Sequence, residues 1–458
     1  MRRGRTAVVV AVTLALIGAA CGNSGSSKST SGTTGTTGSR GANDVGVSPT
    51  EIKVSQVVSL SGPNASGEVG FEKGFEAYVE ALNARGGVNG RTIKITSTRD
   101  DASDTARNAS EFQQAVEQEG DFLMLDSAGN FGAADYAIQH NIPVIGTAYT
   151  DDWYKSDSFF GAAQGGTWKA PDPTNRPSVP GGGAAIYGYL MGKLGLHKMG
   201  TFGYTVTSSA NAAKTSCDNA KQLGIECTYT DTSLNFGFTD LGASIAKIKA
   251  SGADFFFSAM DPGGCVTIDR GLKRAGMDNA YLYCATGYGQ DVTEKNFDAL
   301  DHTFFLTGTQ PFESATGEMA TFLKELAARK PGTKPSVTVL NGWISGIFLE
   351  DVLKAMGKDN ITRQRFVDTV RHNSAFSAWD AHGILTATDW TSNLFSRITS
   401  GTYKAADCGG YLLRIDEKKK TYVQVGQKPK LCLGSVTNAD QLKAALAKDT
   451  SMLDVPAS

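Results

Sequence analysis

Residues 52–104, IKVSQVVSLSGPNASGEVGFEKGFEAYVEALNARGGVNGRTIKITSTRDDASD, decide how the rest of the chain is read. Residues 52–60 are apolar and β-rich, and they run into the turn-forming Ser61-Gly62-Pro63-Asn64. From residue 70 to 85 the apolar side chains Phe71, Phe75, Tyr78, Val79 and Leu82 recur at helical spacing, and Gly86-Gly87 supplies the stop signal. Residues 92–98 return to a strand pattern. Strand, helix and strand in so short a span make a βαβ unit, and hence parallel pairing.

The alternation continues. Asp104 is placed to cap a helix running to residue 119, and residues 122–125 and 142–145 are strands. After a Pro- and Gly-rich stretch at residues 170–183 the pattern restarts. Helices at 182–194, 208–223 and 241–251 alternate with strands at 199–204, 225–230, 254–260 and 281–284. The fold class is therefore α/β, with two doubly wound lobes. Ligands of such sheets sit beyond the carboxyl ends of the strands, which directs attention to the loops after Leu60, Leu125, Ile145, Tyr204, Met260 and Cys284.

Composition narrows the function. In 458 residues, 44 Lys plus Arg against 46 Asp plus Glu give a net charge of −2, which argues against a nucleic-acid partner. An apolar content of 40% excludes wholesale disorder, and 53 glycines without a three-residue period exclude collagen. The five His are scattered, so paired-His metal motifs are absent and no metal site is expected. Of the 7 Cys, none forms a CxxC pair. Cys217, Cys227, Cys265, Cys284, Cys408 and Cys432 are expected to form disulfides in an oxidising compartment, between sequence neighbours that flank adjacent elements, although six Cys allow 15 pairings in all.

The N-terminus agrees on the compartment. Arg2, Arg3 and Arg5 precede the apolar TAVVVAVTLALIGAA of residues 6–20, which is shorter than the span of about 20 a bilayer requires. Gly18-Ala19-Ala20 before Cys21 resembles a bacterial lipobox, with Gly18 where Leu is usual. Residues 1–20 are thus expected to be a signal peptide and residues 21–47 a lipidated Cys with a flexible tether; an ordinary cleaved signal is the alternative. Gly, Ser and Thr dominate residues 22–41, and the segment from residue 22 to 47 has a reach of roughly 25–30 Å. No later run is long enough to cross a membrane.

Leu60-Ser61-Gly62-Pro63, the NARGGVNGR of residues 83–91, Arg99-Asp100-Asp101, Ile142-Pro143-Val144-Ile145 and Ala253-Asp254-Phe255 together resemble the type I periplasmic binding proteins, in the leucine/isoleucine/valine-binding group of ABC-transporter solute receptors. The likeness spans residues 48–433, strongest at its start and loose after residue 300. It implies two α/β lobes with a central ligand cleft and three hinge crossings, placed at residues 48–163 plus 308–384 and 164–307 plus 385–434, followed by a C-terminal tail with a short helix at 435–458. It implies a monomeric, membrane-anchored, extracytoplasmic receptor without cofactor, which closes on a small solute and hands it to permease subunits. A sensor subunit signalling to a membrane receptor is the alternative.

The same resemblance implies ligand contacts from Ser61, Ser127, Ala148 and Thr150 on the first lobe and from Tyr204, Asp261 and Thr286 on the second. Amino-acid receptors of the family place an acid at the second-lobe loop for the ligand's ammonium, and here Thr286 stands there. Either the ligand is not a standard α-amino acid or Asp261, Asp126 or Glu68 takes over. A small carboxylate-bearing organic molecule is expected, walled by Tyr149, Trp153, Tyr204 and Tyr288. An enzyme is not expected. Ser127 lacks a GxSxG elbow, which leaves a hydrolase a remote alternative, Gly181-Gly182-Gly183 lacks the Lys of a phosphate loop, and Gly287-Tyr288-Gly289 is half a dinucleotide fingerprint. Asp100-Asp101 and Asp151-Asp152 read as solvated carboxylates.

Overall fold

The computed structural model describes residues 43–454 except 165, 178–183, 290–294 and 405–407. The signal segment, Cys21 and Gly181-Gly182-Gly183 lie outside the described residues. Five strands form the first sheet: β1 (Glu51–Val58), β2 (Thr92–Asp100), β3 (Leu123–Ser127), β4 (Val144–Gly146) and β5 (Phe159–Phe160). All pair in parallel in the order β2-β1-β3-β4-β5. The helices of this half are α1 (Ala65–Glu68), α2 (Phe71–Ala84), α3 (Thr105–Gln114) and α4 (Ala134–Gln139). Asp104 caps α3 by accepting from the Arg107 N–H, and the expected last turn widens into a π-helical turn, Ala115–Glu119.

In the second half, α5 (Ala184–Leu194), α6 (Thr207–Gln222), α7 (Ser244–Ser251) and α8 (Pro262–Arg274) alternate with β6 (Lys198–Tyr204), β7 (Glu226–Leu234), β8 (Phe255–Ser258), β9 (Tyr281–Cys284) and β10 (Thr303–Thr307). The hairpin β11 (Tyr411–Asp416) and β12 (Thr421–Gln424) adds antiparallel to β10, giving the order β12-β11-β10-β9-β8-β6-β7. Disulfides join Cys217 to Cys227, Cys265 to Cys284 and Cys408 to Cys432. Each closes a short loop, for which the chain-entropy model gives about 2–4 kcal/mol.

Between β10 and β11 the chain returns to the first lobe as α9 (Gly317–Arg329), α10 (Val337–Met356), α11 (Arg363–His372) and α12 (Leu394–Thr399). Packing with the first lobe continues past residues 163 and 384, where two of the three expected crossings fall. Trp390 packs on Phe160 and Phe348, with centroids 6.0 and 5.0 Å away, and Phe395 packs on Tyr154, so residues 385–399 stay with the first lobe. Residues 166–177 stay there too, because Trp168 lies 6.0 Å from Trp390 and Arg176 sits over Tyr154 while pairing with Asp151 at 3.1 Å. The C-terminal segment carries a short helix. Its helix α13 (Ala439–Lys448) docks on α5, and Asp449 accepts from the Tyr189 hydroxyl at 2.6 Å and pairs with Lys193 at 3.1 Å.

The first lobe is closed by α10 lying against α2 at very short range. A Cβ on Gly74 would stand 1.7 Å from the Val339 carbonyl oxygen, and one on Gly342 would stand 2.0 Å from that of Phe71. Beside these glycines the Tyr78 and Trp343 rings meet edge to face at 4.8 Å, and Glu350 accepts from both Tyr78 and Arg85. The NARGGVNGR turn completes the contact, since the Asn89 amide donates to the Leu353 and Gly357 carbonyls at 2.7 and 2.9 Å and so satisfies the end of α10. Gly74→Ala raises helix propensity by about 1 kcal/mol, but overpacking of this kind costs roughly 1–3 kcal/mol or more, so the substitution is expected to lower the melting temperature. Gly409→Ala, whose methyl meets open space, serves as the control in the same thermal melt, and equal melting temperatures for the two variants would contradict the packing argument.

Candidate functional site

A cavity of ≈ 500 Å³ lies between the lobes, at the carboxyl ends of the strands. That volume suits a small organic molecule, for which sites run about 300–1,000 Å³. The first lobe contributes Asn64 and Tyr149 from the loops after β1 and β4, Glu68 from the end of α1, and Val337, Thr338 and Asn341 from the start of α10. The second contributes Tyr204 from the end of β6 and Val206, Asp261 and Thr286 from the loops after β6, β8 and β9.

The loop after β1 is held by the acids that follow β2. Asp100 accepts from the Leu60 and Ser61 N–H groups at 3.0 and 3.1 Å and from the Ser61 hydroxyl at 2.5 Å. Asp101 is fully buried and accepts from Ser59 at 2.8 Å and Asn108 at 3.1 Å. These carboxylates are clamps rather than the solvated strand ends their sequence implied. Gly62 makes the turn at φ 84°, where a Cβ would meet the Ala102 oxygen at 2.1 Å. Held in this way, the loop delivers Glu68 to the floor of the cavity.

Glu68 is only 2% exposed. It accepts from the Ser127 hydroxyl at 2.7 Å and from the Asn64 amide at 3.3 Å, and Ser127 in turn shares a hydrogen bond with Thr147 at 2.9 Å. Burial pushes the carboxyl up from its ordinary 4.5 to about 7, against those hydrogen bonds and with Asp101 and Asp261 adding to the rise. Asp126 behind it is pushed up in the same direction by burial.

Across the cavity Asp261 caps α8, accepting from the Gly263 and Gly264 N–H groups at 3.2 Å each. It also accepts from the Tyr204 hydroxyl and, reaching over to the first lobe, from the Ser66 hydroxyl at 2.5 Å. Thr286 donates to the Met260 carbonyl at 2.5 Å, tying the loops after β8 and β9 together above the Cys265–Cys284 disulfide. A second link between the lobes runs from the Val337 N–H to the Tyr288 carbonyl at 3.3 Å.

Of the residues singled out in the sequence, Tyr149, Tyr204, Asp261, Thr286 and Tyr288 line the cavity together with Glu68. Ser127 is buried beneath Glu68 and Ser61 is taken up by Asp100. Thr150 bonds Asp152 at 3.3 Å, and Ala148 packs among the residues around Trp153. Trp153 is not a wall of the cleft, because it is fully buried against Phe131 at 4.9 Å and Phe159 at 6.2 Å. The contributions of α10 and Ser66 were not read from the sequence; the Ser336 cap that starts α10 is the signal that points to the former.

A family model described as periplasmic binding protein matches residues 51–396. The chain belongs to the type I periplasmic binding proteins. This is a family of extracytoplasmic solute-binding proteins. Among solved structures the chain is similar to a fatty acid ABC transporter substrate-binding protein from Thermomonospora curvata, with 17% identity over 88% of this chain and 96% of that one and a TM-score of 0.64. A branched-chain amino acid transporter substrate-binding protein from Streptococcus pneumoniae in complex with isoleucine shows 18% identity over 83% and 99% at a TM-score of 0.62. A solute-binding protein from R. palustris in complex with benzoate shows 17% over 84% and 98% at 0.62. No curated protein matches the chain.

The buried Glu68 of this periplasmic binding protein gives a stability signature. A carboxyl raised from 4.5 to about 7 makes the folded state hold the extra proton between those values, so its contribution to stability falls as pH rises through that window. The full effect is on the order of 3 kcal/mol. Glu68→Gln is therefore expected to raise the melting temperature of the empty protein at pH 8 and to change it little at pH 5. Equal shifts at both pH values would show that the carboxyl is not held in this way.

Proposed function

We propose that this protein is the solute-binding lipoprotein of an ABC importer, anchored outside the cell membrane by a lipid on Cys21 and closing two lobes on a small organic solute with a largely apolar body. The observation that carries the reading is the cavity itself, which draws on loops of both lobes and carries Tyr204, Phe236, Met260, Tyr288, Leu306 and Leu385 on its walls. Tyr204 and Phe236 pack with tilted rings at 4.1 Å, and Tyr288 and Phe312 stack at 4.9 Å, so two aromatic faces are held in place before any ligand arrives. The relatives described with a fatty acid, isoleucine and benzoate share an apolar body, which supports the same class here.

Two measurements test the reading. In a thermal-shift screen of amino acids, amides, aromatic acids and short fatty acids, a binder at 100 times its dissociation constant adds about 2.7 kcal/mol, and a screen without any stabilising member would count against a receptor. Cys21→Ser is expected to release the protein from membranes into the soluble fraction. Unchanged membrane partition would refute the lipid anchor.

A further inference from the structure

We propose that Glu68 reads the polar end of the bound solute and selects one that presents a cationic nitrogen, an ammonium or amidinium group, over one that presents a carboxylate. This deepens the receptor reading above and rests on it. The geometry begins with Ser127, the residue that the family resemblance offers to a ligand. Its hydroxyl donates to Glu68 at 2.7 Å, while Asn64 donates to the other carboxyl oxygen at 3.3 Å. Two donors that a free carboxylate would need are thus already taken by a carboxyl of the chain itself.

The charges around the cavity point the same way. Glu68 and Asp261 are the charged side chains among the described residues that line it, and no Lys, Arg or His is among them. Asp261 already accepts from Ser66, Tyr204, Gly263 and Gly264. Asp101 from the β2 end, Asp126 from β3 and Tyr149 from the β4 end also face Glu68, and none brings a positive charge. A ligand carboxylate would add a further negative charge to a poorly solvated acidic floor. A cationic nitrogen would meet the acid of the cavity floor that is least saturated by donors and relieve its burial.

The proton makes the pairing measurable. With its carboxyl near 7, empty Glu68 is partly protonated at neutral pH, and a cation beside it drives the proton off. Cation binding then releases protons near pH 7, and affinity weakens below that pH by up to about tenfold per unit. Matched probes isolate the head group: isopentylamine, isocaproate and isocaproamide, and phenethylamine, hydrocinnamate and hydrocinnamamide. Each is titrated calorimetrically between pH 6 and 8 in two buffers of different protonation enthalpy. At least one amine is expected to bind about tenfold or more tighter than its carboxylate and amide partners and to release protons, and Glu68→Gln to lose both the preference and the release. Carboxylates or amides that bind as well as the amines, or amine affinity unchanged in Glu68→Gln, would overturn the role of Glu68 and leave the receptor reading standing. Binding by no probe of any head group would take both down. Should Glu68→Gln fold poorly, proton release by the unaltered protein decides alone.

Discussion

The backbone contact at Gly74 and Gly342 is the constraint on which the arrangement of the whole molecule depends. Two helices separated by more than half the chain approach so closely that a methyl group at either glycine would overlap a carbonyl oxygen of the other helix. The first lobe can therefore be completed only if the chain leaves it, builds most of the second lobe and comes back. The discontinuous lobes and the cleft between them follow from that return. It also sets the position of the start of α10, so Val337, Thr338 and Asn341 reach the cavity because a helix turn away two glycines let the helices touch.

The second lobe reaches rigidity by a different route. Its strand-end loops are tied by hydrogen bonds to one another and, through Ser66, to the first lobe. Asp261 is fixed by two backbone donors and two hydroxyls, Thr286 by the Met260 carbonyl, and the Cys265–Cys284 disulfide lies beneath both loops. Side chains held by so many partners lose little freedom when a ligand arrives, which is what preorganisation of a binding site means in energetic terms. The first-lobe wall obtains the same result from the clamp of Asp100 on the loop after β1.

Much of this was legible in the sequence because periodicity and turn chemistry are local. The β1–α2–β2 unit, the cap at Asp104 and the glycine stop after α2 each follow from a few neighbouring residues. The helix α10 was not legible, because it is apolar on almost every face and so offers no amphipathic pattern; its buried residues run from Val339 to Met356. The contacts of Trp390, Phe395 and Arg176 with the first lobe were not legible either, because they are tertiary stacking that no local rule reports. The site residues divided on the same principle. The ends of β6, β8 and β9 bring Tyr204, Asp261 and Thr286 to the cavity lining, as loop position suggests. Loop position could not say that Ser127 turns to a buried carboxyl, or that Trp153 turns into the core.

Glu68 and Asp261 also bear on how closure is controlled. They stand on opposite lobes, and Asp261 adds to the forces that push the Glu68 carboxyl up. In the empty protein, bringing the lobes together therefore sets two acids nearer each other while stripping water from one of them. The Ser66 bond to Asp261 and the Val337 bond to Tyr288 pull the other way, but such bonds are each worth only about 1 kcal/mol net. A solute shifts any equilibrium between open and closed forms only by what it gains in the closed form over the open one. A solute that answers the acidic floor gains most there, because the pairing strengthens as closure removes solvent. On that reading, recognition of the head group and closure of the lobes are one event, carried by the same carboxyl.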